Sequence, residues 1–221
     1  MAGLFSNHHH KVDPVWHVQA IMLVAIGLQL ALPEKFSAGT HYAIPALEAL
    51  LLLALSFTTP RERVFRSLAR RVNVFILIAV TSAANAYSLA VVITQLLSGT
   101  HASVNGRELI VAALNIYLTN VIAFALWYWE MDGGGPGERQ RIAKYEQDFL
   151  FPQHQHESYK HPDWKPTFID YLYVSATNAM AFSPTDTMPL SRRAKLLMLV
   201  QATVSLAAIA LVAARAVNIL R

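Results

Sequence analysis

From Asn73 to Leu97 the chain runs for 25 residues without a charged side chain, and from Leu109 to Trp129 for another 21. A helix needs about 20 mostly apolar residues to cross the hydrocarbon core of a bilayer. Both stretches meet that length, and "WYW" at the end of the second makes an aromatic belt of the kind that sits at a membrane interface. Three further stretches read the same way: Val15–Pro33 with Trp16 as an interfacial anchor, 42–58 containing Pro45 and Glu48, and Ala194–Leu220. Only 14% of residues are charged, against roughly a quarter in soluble domains. The expected class is therefore an all-α integral membrane protein.

A sixth apolar stretch, "TFIDYLYVSATNAMAF", is short for a full span and suits a buried or re-entrant helix. The expected architecture is five full transmembrane helices plus this short, pore-type helix before the last span, its depth left open. Residues 1–129 form a four-span helical bundle in this reading. Residues 130–165 form a polar cytoplasmic or interfacial loop, and 166–221 a module of short helix, polar hairpin and last transmembrane helix.

Basic residues set orientation, because cytoplasmic loops carry the excess of Lys and Arg. The stretch "TTPRERVFRSLARR" carries Arg61, Arg63, Arg66, Arg70 and Arg71. Two spans later the 130–165 loop carries Arg139, Arg141, Lys144, Lys160 and Lys165, while 34–41 and 98–108 carry one basic residue each. The N-terminus and the long loop are thus expected inside. The formal charge of +4 then reports topology rather than nucleic-acid binding. Without cysteine, disulfides, iron–sulfur clusters and thiolate zinc sites are excluded. The start "MAGLFSNHHHKVDPVW" has no basic–apolar–cleavage pattern, so no removed signal peptide is expected.

The hairpin "ATNAMAFSPTDTMPLSRRAKLL" interrupts the apolar run with Pro184, Asp186 and Pro189 before the last helix, for which Ser191 is the expected N-cap. Irregular backbone at membrane depth survives only when buried in protein or lining a wet cavity. Asp186 is therefore expected to face water, a cation or a basic partner. If 166–183 crosses fully, the hairpin lies outside. If it re-enters, the hairpin lies in the cytoplasm, the side that Arg192, Arg193 and Lys195 favour.

Asp170, Leu172, Tyr173, Ser175, Asp186, Pro189 and Ser191 match, without a gap, the pore module of two-span potassium channels, which this part of the chain resembles. There a pore helix leads through T-V-G-Y-G-D to a pore-lining helix. The resemblance covers about 50 of the 221 residues. It implies a pore helix supported by Asp170, Tyr173, Ser175 and Asn178. It also implies a filter-like stretch of Ala181, Phe182, Ser183, Pro184, Thr185, Asp186 and Thr187. The filter glycines are missing, so the implied pore is an atypical, non-potassium type in which Thr185 and Asp186 side chains draw monovalent cations. A homo-oligomer, with a tetramer favoured, is implied with it. Through "FALWYWEMDGGGP", "DFLFPQ" and the hairpin, the whole chain also resembles a bacterial family of small multi-span membrane proteins of unknown function. A multi-pass place in a bacterial inner membrane, with lipids as neighbours, is the corresponding expectation. The alternative is a non-conducting scaffold or accessory subunit carrying a degenerate channel hairpin.

Other residues carry weaker signals. Glu48 is acidic inside an apolar span, which defaults to function, although its place near the span's start equally allows snorkelling to the interface. Asn85, Asn115 and Thr119 fit interhelical hydrogen bonding. Ala207, Ala210, Ala214 and Ser205 permit close helix approach, and Arg215 suits an interface or a lipid phosphate. His154, His156 and His161, with Glu157 and Asp163, are weak metal candidates, and a solvated, pH-responsive loop explains them better. No cofactor is expected. With no nucleophile–base pair in the spans, an enzyme ranks behind a channel or a scaffold.

Overall fold

The computed structural model describes residues 15–37, 42–58, 68–97, 106–139, 147–155, 164–180 and 186–219. Its helices are α1 (Val15–Leu30), α2 (Ala43–Thr58), α3 (Leu68–Leu97), α4 (Gly106–Met131), α5 (Pro152–Gln155), α6 (Phe168–Met180) and α7 (Arg192–Ile219). Short 3-10 turns cover Glu34–Phe36 and Asp132–Gly134. Two-residue strands, β1 (Phe149–Leu150) and β2 (Met188–Pro189), pair antiparallel, with Phe149 opposite Pro189 and Leu150 opposite Met188.

Three helical stretches are long and apolar enough to cross a membrane: Leu68–Leu96, Gly106–Gly134 and Arg192–Ala214. The expected five are thus met by three on length, since α1 and α2 have 16 residues each, about 24 Å at the helical rise. Pro33 follows α1 by three residues and cannot continue a helix. Pro45 is tolerated in α2 because it falls in the first turn, where the missing N–H is one of the orphan donors.

Helices α1 to α4 run alternately between two ends. Val18 and Met22 of α1 pack with Leu126, Tyr128 and Trp129 at the end of α4. Leu32 and Phe36 pack with Leu109 and Ala112 at its start. α2 returns, so that Asn73 near the start of α3 donates to the Leu51 carbonyl at 3.4 Å. α3 and α4 are antiparallel, with Arg70 meeting Glu130. Every residue of α4 from Thr119 to Met131 except Trp127 is buried. A helix that is apolar all round belongs inside a bundle, and α4 is the central helix here, packed against α1, α3, α6 and α7.

The outer faces are apolar. Leu23 and Val24 on α1, Leu50 and Leu53 on α2, and Leu196, Leu199, Val200 and Leu206 on α7 are all exposed. Of the apolar window of α7 only 22% is buried, against 67% for α4. Such a surface suits hydrocarbon rather than water, and it fits a membrane protein.

Candidate pore module and its polar clamp

At the loop end of α4 the sequence "EMDGGG" reverses the chain. Gly133, Gly134 and Gly135 all hold positive φ (58°, 82° and 97°), a region that L side chains rarely adopt. At Gly135 a Cβ would also stand 3.1 Å from the Glu130 carbonyl oxygen. The reversal brings Asp132 under α4, where its Oδ1 accepts the backbone N–H of Asp148 at 2.6 Å and of Phe149 at 3.3 Å. Its Oδ2 accepts the Tyr171 hydroxyl, and that hydroxyl in turn accepts from Arg139. Arg139 also donates to the Trp129 carbonyl at 3.1 Å.

Asp148 links this turn to α7. Arg193 grips it with two hydrogen bonds, Nε to Oδ1 at 2.7 Å and Nη2 to Oδ2 at 2.8 Å. The Leu190 N–H donates to the Asp148 carbonyl at 2.8 Å, beside the β1–β2 pair. Beneath lies the Arg70–Glu130 pair, joined by two bonds at 3.2 and 3.4 Å with both side chains buried. Three cations therefore meet three carboxylates. Two of the pairs, Arg70–Glu130 and Arg193–Asp148, are planar guanidinium–carboxylate forks, the geometry in which carboxylate burial is tolerable.

Tyr171, in the first turn of α6, and Arg193, in the first turn of α7, are tied to neighbouring carboxylates at the same end. Further along, Asn178 of α6 donates to the Met198 carbonyl at 3.0 Å, two turns into α7. The two helices therefore start together and run the same way. The chain leaves α6 at depth and is back beside Asp148 by Leu190.

A second cluster fastens α6 at that depth. Gln201, fully buried on α7, uses all its side-chain capacity. Its Oε1 accepts from the Tyr128 hydroxyl at 2.6 Å and from Asn178 at 2.8 Å. Its Nε2 donates to the Ser175 hydroxyl at 2.6 Å and carbonyl at 2.9 Å. Ser175 passes its own proton to the Val121 carbonyl at 2.6 Å. Asn120 donates to Ser205 at 2.8 Å and to the Gln201 carbonyl at 3.2 Å. One glutamine thus joins α4, α6 and α7.

The sequence candidates separate into groups. Ser175 and Asn178 both bond Gln201 of α7. Asp170 works at the helix start: Thr167 donates to it from backbone N–H at 2.6 Å and from its hydroxyl at 2.8 Å, a capping arrangement. Tyr173 is exposed, as is Asp186, while Thr187 is buried. Ala181, Phe182, Ser183, Pro184 and Thr185 lie outside the described residues. Ser191 caps α7, its hydroxyl accepting the Ala194 N–H at 3.1 Å.

His154 is half-buried and meets Phe151 and Trp164 edge to face. His156 and His161 lie outside the described residues, among which no three His, Asp or Glu side chains gather as a metal site. The loop is less open than its polarity suggests, since Asp132, Arg139, Gln147, Asp148, Phe149 and Phe151 are buried. Asn85 bridges α3 to the Ile116 carbonyl of α4 at 3.1 Å. Ser205 and Ala208 face the interior, whereas Ala210 and Ala214 are exposed. Glu48 does not snorkel: it is fully buried and points inward. Gln201, Tyr128, Asn120 and the Asp132–Tyr171–Arg139 relay escaped sequence reasoning. The available signal was a lone Gln in an apolar run and two acids closing an apolar span. Comparison with known families, curated proteins and solved structures found no match.

Proposed function

We propose that this protein is a channel-like integral membrane protein. In this reading it has five spans and a re-entrant α6, and it passes monovalent cations through a homo-oligomeric pore, a tetramer being favoured. The observation that carries the reading is the common start of α6 and α7. A short helix that enters, a chain that returns, and a long helix that crosses from the same end is the layout a pore loop requires. The sparsely buried face of α7 offers a surface on which copies of the chain could meet, and small residues there allow close approach. Asp186, exposed at the hairpin, supplies the charge that would draw cations, next in the chain to Thr185, whereas Thr187 is buried. Arg70, Arg139 and Arg193 crowd the end where the hairpin opens, which argues for the cytoplasmic side of a bacterial inner membrane.

The experiment is cation flux from liposomes holding the purified protein, with Asp186→Ala as comparison. A leak that falls several-fold in the variant supports the reading. No leak, or an identical one, rejects it.

A second reading, a non-conducting scaffold, is favoured by one observation. The Gln201 network spends the polar groups of α6 inside one protomer, leaving few to line a conduit. Monomeric behaviour in mild detergent, together with absent flux, would select it.

A further inference from the structure

Glu48 stands apart from the pore module. It lies on α2 with 0% of its surface exposed. Its Oε1 accepts from Gln29 of α1 at 2.9 Å and from Thr81 of α3 at 2.8 Å. Thr81 is near the middle of the 30-residue α3, so the carboxyl is held at mid-bundle depth. Oε2 has no hydrogen-bond partner among the described residues. Neither neighbour is charged: Gln29 and Thr81 are neutral, and Glu48 takes part in none of the ion pairs found among the described residues. An uncompensated carboxylate in such a place is too costly to persist, and the usual escape is to bind a proton.

Beside it lies a cleft of about 20 Å³ lined by Gln29, Ser37, Asn85, Ser88, Asn115 and Thr119 among others, large and polar enough to hold a water. The Asn115 Nδ2 atom in it is buried and has no partner among the described residues. Gln29 is common to both, lining the cleft and bonding Glu48. Ser37 lies in the connection from α1 to α2, so the cleft reaches toward the end opposite the pore hairpin. Among the described residues no charged or titratable side chain lines it. The Thr81 hydroxyl has one proton and two acceptors, Glu48 at 2.8 Å and the Leu77 carbonyl at 3.0 Å. It can serve the carboxylate in one state and its own helix in the other.

We propose that Glu48 is a proton-binding site within the four-helix part, loaded and unloaded through the polar cleft by way of Gln29. The proton resides on the free Oε2 oxygen. When it departs to a water in the cleft, the donors Gln29 and Thr81 hold the remaining charge.

Dicyclohexylcarbodiimide, an apolar reagent that adds to protonated carboxyls, tests this on the full chain in detergent, read by peptide mass spectrometry. Glu48 should be modified, less so as pH rises, and excess sodium should not protect it. Thr81→Val and Gln29→Leu each remove a donor to the charged form, so each should move the labelling midpoint up by about one pH unit. Glu48→Gln should abolish the label at this position. An unlabelled Glu48 at every pH, or labelling that ignores pH, overturns the proposal. Protection by sodium would make it a metal-cation site instead, and unmoved midpoints in both folded variants would reduce the two donors to packing.

Discussion

Replacing Gln201 with Met tests whether α6 is held to α7 by hydrogen bonds or by fit alone. Met preserves volume and adapts to irregular gaps, so no cavity term enters. The change removes two accepted and two donated bonds. Not every partner is stranded: Asn178 keeps the Met198 carbonyl and Ser175 keeps Val121. Tyr128 is fully buried and loses the one acceptor seen for its hydroxyl. Interhelical bonds in membranes average about 0.6 kcal/mol and reach about 1.7. Four of them, with one stranded phenol, come to roughly 3–5 kcal/mol. For a chain of this size that lowers the melting temperature by roughly 6–20 °C. The assay is thermal unfolding in a fixed detergent, alone and with Ser175→Ala. A connected network makes the double variant cost less than the sum of the singles. A Gln201→Met melting point within about 1 °C of the parent, or strict additivity, would refute the reasoning.

Three other outcomes are expected. Arg70→Ala leaves Glu130 buried without its partner and should cost about 3–5 kcal/mol; pairing it with Glu130→Met should recover most of the loss in the same melt. Gly135→Ala forces a side chain into positive φ against the Glu130 carbonyl, so unfolding should shift by about 1–3 kcal/mol; a neutral result would mean the reversal is not held as described. Asp170→Ala removes the carboxylate that accepts the Thr167 N–H and hydroxyl at the start of α6 and should lower stability by about 0.3–1.5 kcal/mol, measured by the same denaturation, while leaving the Gln201 cluster's coupling to Ser175 unchanged.

The long helices were legible because hydrophobic length is local: 73–97 and 109–129 announce themselves without any knowledge of their neighbours. The cap at Ser191 was equally readable, since it depends only on the four consecutive residues 191–194. Much of the polar architecture was not. Asp132, Asp148 and Arg193 sit far apart in the chain and meet only because three glycines turn it back, so each looks like an ordinary loop charge on its own. Glu48 shows the limit from the other side. Its position near a helix start allowed either snorkelling or burial, and only the approach of α1 and α3 decides between them. Ser175 and Asn178 stand out through a resemblance, but their partner Gln201 lies on another helix and shows in the sequence only as a lone Gln in an apolar run.

The tiny ladder between Phe149–Leu150 and Met188–Pro189 has a mechanical meaning. It sutures the segment after α4 to the limb by which the hairpin comes home, with Leu190 and Arg193 as two further stitches on Asp148. A ligand or protein that takes hold of residues 147–155 therefore grasps a lever whose other arm is the hairpin itself.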